Sequence, residues 1–402
     1  MRELENNRGE VLIISNYFTP EIGAAPRRIA AMANSFHKNG YSTRVVCPLP
    51  NYPSGSLFKG YRFKWRVKEE INGISVDRLF IYPSISKNGF IRAISMLSFS
   101  LSLFLYLPFI RVSNVKFVLI QSPPLFVSFT AVFLSKWILR KKVYLNVSDL
   151  WPLSAVELGV LKPGHMMNLL TAMESYIYKE SYRIIGQSNE IIDHISRKVT
   201  RPFFVYRNLP ENSIGDFEKM QNSQKKKLVY AGLLGYAQGV LNICENIDFN
   251  SLDFEFHIYG MGMEESAIAS YCRENPSSNV IFHGPFQPNE LSSILNNAYA
   301  AIVPLANRIQ GAVPSKIFEL IDHETPIVFS GGGEGASIID EYGLGLTLPP
   351  GNMVELNAAL RRISELSSEE YSKILSNIRK VKQEAFNFQM QFVSLLNFIE
   401  RP

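Results

Sequence analysis

In the stretch GAVPSKIFELIDHETPI, residues 311–327, small residues and a proline lead into a helical pattern that sets Lys316 and Glu319 three positions apart, on one face. Pro314 reads as the first helical residue, where its missing N–H costs nothing, so the amides near Ser315 and Lys316 point out of the helix start toward an anion. Lys316 adds a point charge. Glu319, one turn on, offers a carboxylate to vicinal hydroxyls such as those of a ribose. A nucleoside diphosphate attached to a sugar wants all three features. The same spacing also describes a surface Lys–Glu pair worth about 0.3 kcal/mol.

Further candidates stand where strand-like runs end, because open α/β sheets bind ligands outside their carboxyl edges. In NYFTPEIGAAPRR, residues 16–28, Gly23, Ala24 and Ala25 remove bulk just before a helix that opens with Pro26, Arg27 and Arg28. Such a loop lets an anion reach backbone N–H groups, with two arginines adding charge; it is equally an ordinary βα turn with solvated arginines. YAGLLGYAQG, residues 230–239, places Gly232 and Gly235 in a similar turn, a weak signal alone, and the turn containing Gly260 reads as a tight turn only. Asp149 in NVSDLWPLSAVELGVLK follows a strand beside Trp151 and Pro152. It can bind sugar hydroxyls, act as a base, or cap the next turn. The sequence has no Asp-x-Asp pair, Walker-type loop or Gly-x-Ser-x-Gly elbow. Its histidines show no metal-ligand spacing, and His37, His194 and His323 are expected at the surface. Cys47, Cys244 and Cys272 lie too far apart in sequence to signal a disulfide framework or a metal site.

The elements that must position these residues alternate. Apolar runs (VLIIS, TRVVCP, ISVDRLFIY, FVLIQS, KVYLNVSD, YRIIGQS) are separated by helical patterns near 27–39, 125–139 and 166–180, and a second series runs from KLVYAG to GLTLPP. This is the βαβ rhythm of doubly wound parallel sheets, repeated, so the expected class is α/β with two Rossmann-like domains. The expected division is a first domain over 1–207, a polar linker over 208–227, a second domain over 228–385, and a terminal helix over 386–402 that packs back toward the first. With 402 residues and 46% hydrophobic content, the chain can bury two cores. A net charge of +5 is too mild for a dedicated nucleic-acid binder and leaves anionic small molecules or an acidic membrane surface as partners. The N-terminus lacks a signal-peptide apolar core. Residues 93–110 carry no charge, but strand-like runs on both sides argue for a buried or interfacial helix rather than a span, with Ser95, Ser98, Ser100 and Ser102 lowering the drive for insertion.

Four stretches, YFTPEIGAAPRRIAAMANSFHKNGYSTRVVCPLPNYPSG, DLWPLSAVELGVLK, YAGLLGYAQG and VPSKIFELIDHETPIVFSGGGEGASIIDEYGLGLTLPPGN, together resemble the retaining glycosyltransferases of family 4, with the GT-B fold. The likeness is strongest to the bacterial branch that builds O-antigen, capsule and related polysaccharides, including N-acetyl-fucosamine transferases. The resemblance implies two Rossmann-like domains facing a cleft and transfer from a nucleotide sugar, most often a UDP-sugar. It also implies no metal or other cofactor, and a saccharide acceptor on a polyprenyl diphosphate at the inner membrane face. In that picture Gly232, Gly235, Gln238, Arg207, Gly260, Ser315, Lys316 and Glu319 bind the donor, with Glu319 at the ribose and Lys316 at the diphosphate. Gly23, Ala24, Arg27 and Arg28 form the acceptor or phosphate loop, and Asp149, Lys316 and Glu319 carry catalysis. The enzyme is then cytoplasmic and peripheral, resting on the bilayer through 57–68 and 93–110. Four positions depart from the family pattern: Gly311 where a glutamate is frequent, Ser148 before Asp149 where a histidine is widespread, and Leu233 and Gln238 where many relatives have arginine and lysine, although this bacterial branch commonly has glutamine there. The competing expectations are a nucleotide-sugar 2-epimerase, which needs an acid–base pair at the sugar, and a non-catalytic subunit of a polysaccharide assembly complex.

Overall fold

The computed structural model describes residues 8–84, 86, 89–157, 159, 161–162, 164–211 and 225–401. The chain forms two compact units, one of residues 1–207 with 392–402 and one of residues 208–391. Most of the expected linker, 212–224, lies outside the described residues. The second unit's first strand begins at Lys226, so the linker is shorter than expected: the lysine run is drawn into pairing, Lys226 against Phe254 and Lys227 against Glu255.

In the first unit, strands β1 (Glu10–Ile14), β2 (Ser42–Pro48), β3 (Arg66–Ile71), β4 (Ile74–Leu79), β5 (Val115–Ser122), β6 (Lys142–Val147), β7 (Arg183–Gly186) and β8 (Phe203–Val205) form one sheet. Its order is β3-β4-β2-β1-β5-β6-β7-β8. All neighbours run parallel except β3 and β4. That hairpin corrects the expectation of a parallel sheet at this edge and makes Arg66–Lys68, the end of the 57–68 run, edge strand. Its cause is Asn72-Gly73, both at positive φ (52° and 77°), the pair that a tight two-residue hairpin turn favours.

Helices α1 (Ala24–Lys38), α2 (Gly89–Tyr106), α3 (Leu125–Phe133), α4 (Leu153–Glu157), α5 (His165–Glu180) and α6 (Asn189–Ser196) join these strands. Residues Leu134–Ile138 continue α3 as a π-helical turn. Alternate residues of β1 enter separate cores, Leu12 and Ile14 one, Val11 and Ile13 the other, as a sheet covered on both faces requires. The C-terminal helix, Phe388–Glu400, supplies Phe392, Leu395, Leu396 and Ile399 to the second of these cores. Glu400 anchors it, accepting from Tyr41 Oη at 2.7 Å and Arg8 Nη1 at 2.6 Å.

The second unit is a parallel sheet of β9 (Lys226–Ala231), β10 (Phe254–Tyr259), β11 (Val280–Gly284), β12 (Ala300–Pro304), β13 (Ile327–Ser330) and β14 (Gly345–Leu348), ordered β11-β10-β9-β12-β13-β14. Its helices are α7 (Val240–Asn246), α8 (Glu265–Glu274), α9 (Leu291–Asn296), α10 (Ser315–Asp322), α11 (Glu334–Tyr342), α12 (Met353–Ser364) and α13 (Ser368–Glu384). Strand order reverses between β9 and β12, which opens a crevice outside their carboxyl ends. His323, expected at the surface, is buried behind α10. His257 and His283, far apart in sequence, meet across β10 and β11 at 2.9 Å.

A buried carboxylate in the first unit gives a measurable pH dependence. Burial alone would raise the Glu174 carboxyl, but His194 at 3.4 Å, Lys198 at 2.6 Å and Tyr178 Oη at 3.0 Å outweigh it and hold the group below its ordinary value of 4.5. A depressed carboxyl stabilises the fold above its unfolded value, and that contribution is lost as pH falls through the folded value. Glu174→Gln should therefore lower stability at pH 7 by about 1–3 kcal/mol and flatten the loss of stability below pH ~4.5, read by urea unfolding from pH 3 to 7. An unchanged acid limb would show that the carboxylate is not coupled to folding.

Candidate functional site

At the carboxyl edge of the second sheet, the loops after β9 and β10 lie directly on one another. Gly232 N donates to Tyr259 O at 2.8 Å, Leu234 N to Met261 O at 2.9 Å, and Glu264 N to Leu234 O at 3.0 Å. Such proximity excludes side chains: a Cβ on Gly260 would stand 1.8 Å from Gly232 O, and one on Gly262 would stand 2.3 Å from Leu234 O. Both have positive φ, 150° and 156°. Gly260, read from sequence as a simple tight turn, is thus a close-approach position.

Lys316, in the first turn of α10, reaches to the end of β9 and donates from Nζ to Ala231 O. Its ammonium lies 5.6 Å from the centre of the Tyr230 ring, and a Cβ on Gly232 would fall 1.9 Å from Nζ. Gly232 and Lys316, 84 residues apart, therefore occupy one place. Lys316 and Glu319 line one small cavity beside β9 and β12, as their spacing on a helix requires. Ser315 opens α10, but Pro314 precedes the helix as its cap rather than beginning it, because its ψ of 126° is extended. Gly235 and Gln238 close the β9 loop, with Gln238 N donating to Gly235 O at 3.0 Å. The Gln238 side-chain carbonyl oxygen is buried and has no hydrogen-bond partner among the described residues.

Two features of this edge were not singled out from the sequence as site residues. Ala306 N donates to Ala237 O at 2.9 Å, which ties the loop after β12 to the loop after β9 across the switch point. Farther along, the Arg308 side chain lies against the Gly331-Gly332-Gly333 turn, its Cδ 3.3 Å from where a Gly332 Cβ would be, just ahead of α11. Three glycines at a strand–helix junction were the available signal for that turn. Helix starts, Lys316 and Arg308 together supply what an anion needs. Gly311 is buried with φ of 80°, so the position where a family glutamate is frequent is backbone suited to glycine.

In the first unit the candidate residues separate. Gly23, at φ 154°, caps α1; Ala24 opens it and is exposed, as is Arg27, but Arg28 is buried. The two arginines therefore do not act as a pair. Burial pushes the Arg28 guanidinium down to about 10, and the Gln187 carbonyl, with its amide turned to face it, accepts from Arg28 Nε at 2.8 Å. Arg207 is half-buried and is the last residue of the first unit's main segment. Asp149 stands at the end of β6, where Ser154 Oγ donates to its Oδ2 at 3.1 Å, the geometry of a turn cap. Burial raises its carboxyl, against the lowering effect of Ser154 and the Leu150 N–H. Ser148 is held by Gln121 Nε2 at 2.8 Å and itself donates to Ser122 O. Glu21, not singled out from the sequence, organises this edge: its carboxylate accepts from the N–H groups of Asn51 and Tyr52, both at 2.9 Å, and of Phe18, tying the loop after β1 to the loop after β2.

Residues 225–365 match the family model described as Glycosyl transferases group 1. The fold of the chain is that of GT-B glycosyltransferases. WaaG, a glycosyltransferase involved in lipopolysaccharide biosynthesis, superimposes with a TM-score of 0.64 at 14% identity, over 98% of this chain and 100% of that one. The E. coli trehalose-6-phosphate protein bound with UDP-2-fluoro glucose gives 0.69 at 12% identity, over 98% and 99%. Among curated proteins, the Probable glycosyltransferase WbjE of Pseudomonas aeruginosa is 26% identical over 281 residues, 66% of this chain and 69% of its own. These findings support a glycosyltransferase of the group 1 type.

The glycines supply a direct test of the loop geometry. Gly260→Ala should destabilise the second unit by roughly 3 kcal/mol or more, since backbone must move. Gly239→Ala, at φ 62° with nothing within 4 Å of its Cβ, should cost about 1–2 kcal/mol. Equal costs in thermal unfolding would contradict the stacked-loop arrangement.

Proposed function

We propose that this protein transfers a sugar from a nucleotide donor, a UDP-sugar in the first instance, to a lipid-linked saccharide in surface polysaccharide synthesis, at the cytoplasmic membrane face. The carrying observation is Lys316, whose ammonium sits at the end of β9 beside Gly232, at the switch point of the second unit. An ammonium that donates to a backbone carbonyl can exchange that partner for a diphosphate oxygen, and Gly232 leaves the backbone open to the same group. The UDP-sugar bound to the trehalose-6-phosphate protein and the lipopolysaccharide role of WaaG favour this donor and acceptor class. Glu319 then accepts from the ribose hydroxyls, and Ser315, Gly235, Gln238 and Gly260 complete the donor site.

The chemical demand is stabilisation of the departing diphosphate as an oxocarbenium-like centre forms. The α10 start and Lys316 meet it without a divalent ion, in keeping with the missing Asp-x-Asp. Transfer with retention follows from the resemblance to family 4, in which the leaving phosphate helps deprotonate the acceptor hydroxyl. Asp149 orients hydroxyls, and Gly23, Ala24 and the exposed Arg27 border the acceptor, while Arg28 is turned inward to Gln187. An epimerase reading has less support, since Asp149 accepts from Ser154 in the geometry of a turn cap. One observation favours a non-catalytic subunit: Ser148, where relatives carry histidine, is committed to hydrogen bonds with Gln121 and Ser122. That reading requires nucleotide binding without turnover.

Lys316→Ala should lower transfer from the preferred donor by about 100-fold, the scale of one lost charge-stabilising donor, while unfolding stays cooperative. Activity within a few-fold of the wild type would remove Lys316 from the catalytic assignment. Donor conversion without any acceptor would favour the epimerase.

A further inference from the structure

Helix α2 is arranged opposite to a helix of a soluble surface. Its polar side chains face the protein: Ser98 Oγ accepts from Tyr82 N at 2.8 Å, Ser102 Oγ donates to Phe80 O at 2.8 Å, and Ser95 and Ser100 are buried. Its outward stripe, Phe90, Ile94, Leu97, Leu101, Leu105 and, one turn past the helix, Phe109, is apolar and exposed, with Leu101 at 59% and Phe109 at 86%. The serines that lower hydropathy in the sequence therefore do not interrupt the apolar face. The π-helical turn 134–138 packs beside the end of this stripe and adds the exposed side chains of Trp137 and Ile138. On the other side Trp65 packs at a tilt against Phe80, 4.7 Å between ring centres and 36° between planes, and Arg66 lies 4.6 Å from the Tyr106 ring of α2. Exposed apolar side chains from three separate stretches of sequence thus gather around α2, the kind of clustering that marks an interaction surface.

Charge names the occupant. Residues 22–148 carry 18 lysines and arginines against three acids, and between Asp77 and Asp149 there is no acid at all, whereas the rest of the chain carries 23 basic against 33 acidic residues. The mild overall charge conceals a strongly basic segment. Around the stripe this excess is local: Arg92, Arg111 and Arg140 flank it, all exposed, while Lys136 pairs with Glu180 at 2.5 Å. An apolar strip about 27 Å long with a basic rim matches the headgroup–acyl boundary of an anionic bilayer. A transmembrane span is excluded by topology, because β4 and β5, on either side of α2, belong to one sheet.

We propose that the first unit seats on anionic membrane through the outward stripe of α2, the Trp137–Ile138 turn and Trp65, with α2 lying in the plane of the interface. This deepens the lipid-linked acceptor reading by naming the surface and the lipid class, yet its test is independent of sugar transfer. The full-length protein is floated with vesicles of phosphatidylglycerol and phosphatidylethanolamine or of phosphatidylcholine alone, while UDP binding is measured in solution. The expected result is flotation with the anionic vesicles, weakened by salt, with a blue shift of tryptophan fluorescence that Trp137→Phe reduces. Leu101→Glu with Leu105→Glu should lower vesicle binding by at least about tenfold and leave UDP binding unchanged. Equal binding of wild type and the glutamate variant, or no binding to either vesicle, would overturn the proposal. So would a wild type that self-associates and a variant that is monomeric without any lipid difference, since a second copy would then cover the face. Failure of the donor reading would appear separately, as loss of UDP binding with vesicle binding intact.

Discussion

The constraint on which the second unit depends is the contact between two loops with no room for side chains. Where the β9 and β10 turns meet, Gly260 lies against Gly232 O and Gly262 against Leu234 O, and backbone hydrogen bonds lock the pair. That lock fixes where β9 ends. The end of β9 in turn fixes where Lys316 can place its ammonium, because Ala231 O is its acceptor and Gly232 is its clearance. A chain of steric necessity therefore runs from glycine positions to the placement of a single cation at the switch point.

The first unit is built on the same logic with different chemistry. There the edge loops are joined by a buried carboxylate rather than by glycines: Glu21 gathers three backbone N–H groups, and Arg78, fully buried on β4, donates to Thr19 O from the opposite side. Burial raises the Glu21 carboxyl even though three backbone donors favour its charge, so its place is held by geometry against an electrostatic cost. Rigid loops of this kind keep Gly23 and α1 in place, which leaves Arg27 on the surface and turns Arg28 inward to Gln187.

Much of this was legible in the sequence. The alternation of apolar runs and helical patterns pointed to the α/β class and to most strands of both sheets, because buried parallel strands are nearly continuous apolar runs, but not to the polar edge strand β3 or the three-residue β8. Helical spacing alone placed Lys316 and Glu319 on one face. What stayed hidden depends on tertiary placement. Arg27 and Arg28 are neighbours in sequence, but a helix turns successive residues apart, so only one is solvated. Gly260 looked like any turn glycine because the atom that excludes a side chain there, Gly232 O, is distant in sequence. The β3–β4 hairpin was readable at Asn72-Gly73 but stood beside an aromatic and basic run that drew attention to membranes. Net charge, an average over the chain, concealed the division between a basic segment and an acidic remainder.

The most direct test of the donor site is the thermal unfolding of the purified protein against UDP, ADP, GDP and a set of UDP-sugars, with and without EDTA. A metal-free diphosphate site at the β9–α10 edge predicts an upward shift with at least one nucleoside diphosphate, unchanged by EDTA and absent in Lys316→Ala. No shift with any nucleotide, or a shift that EDTA abolishes, would contradict it.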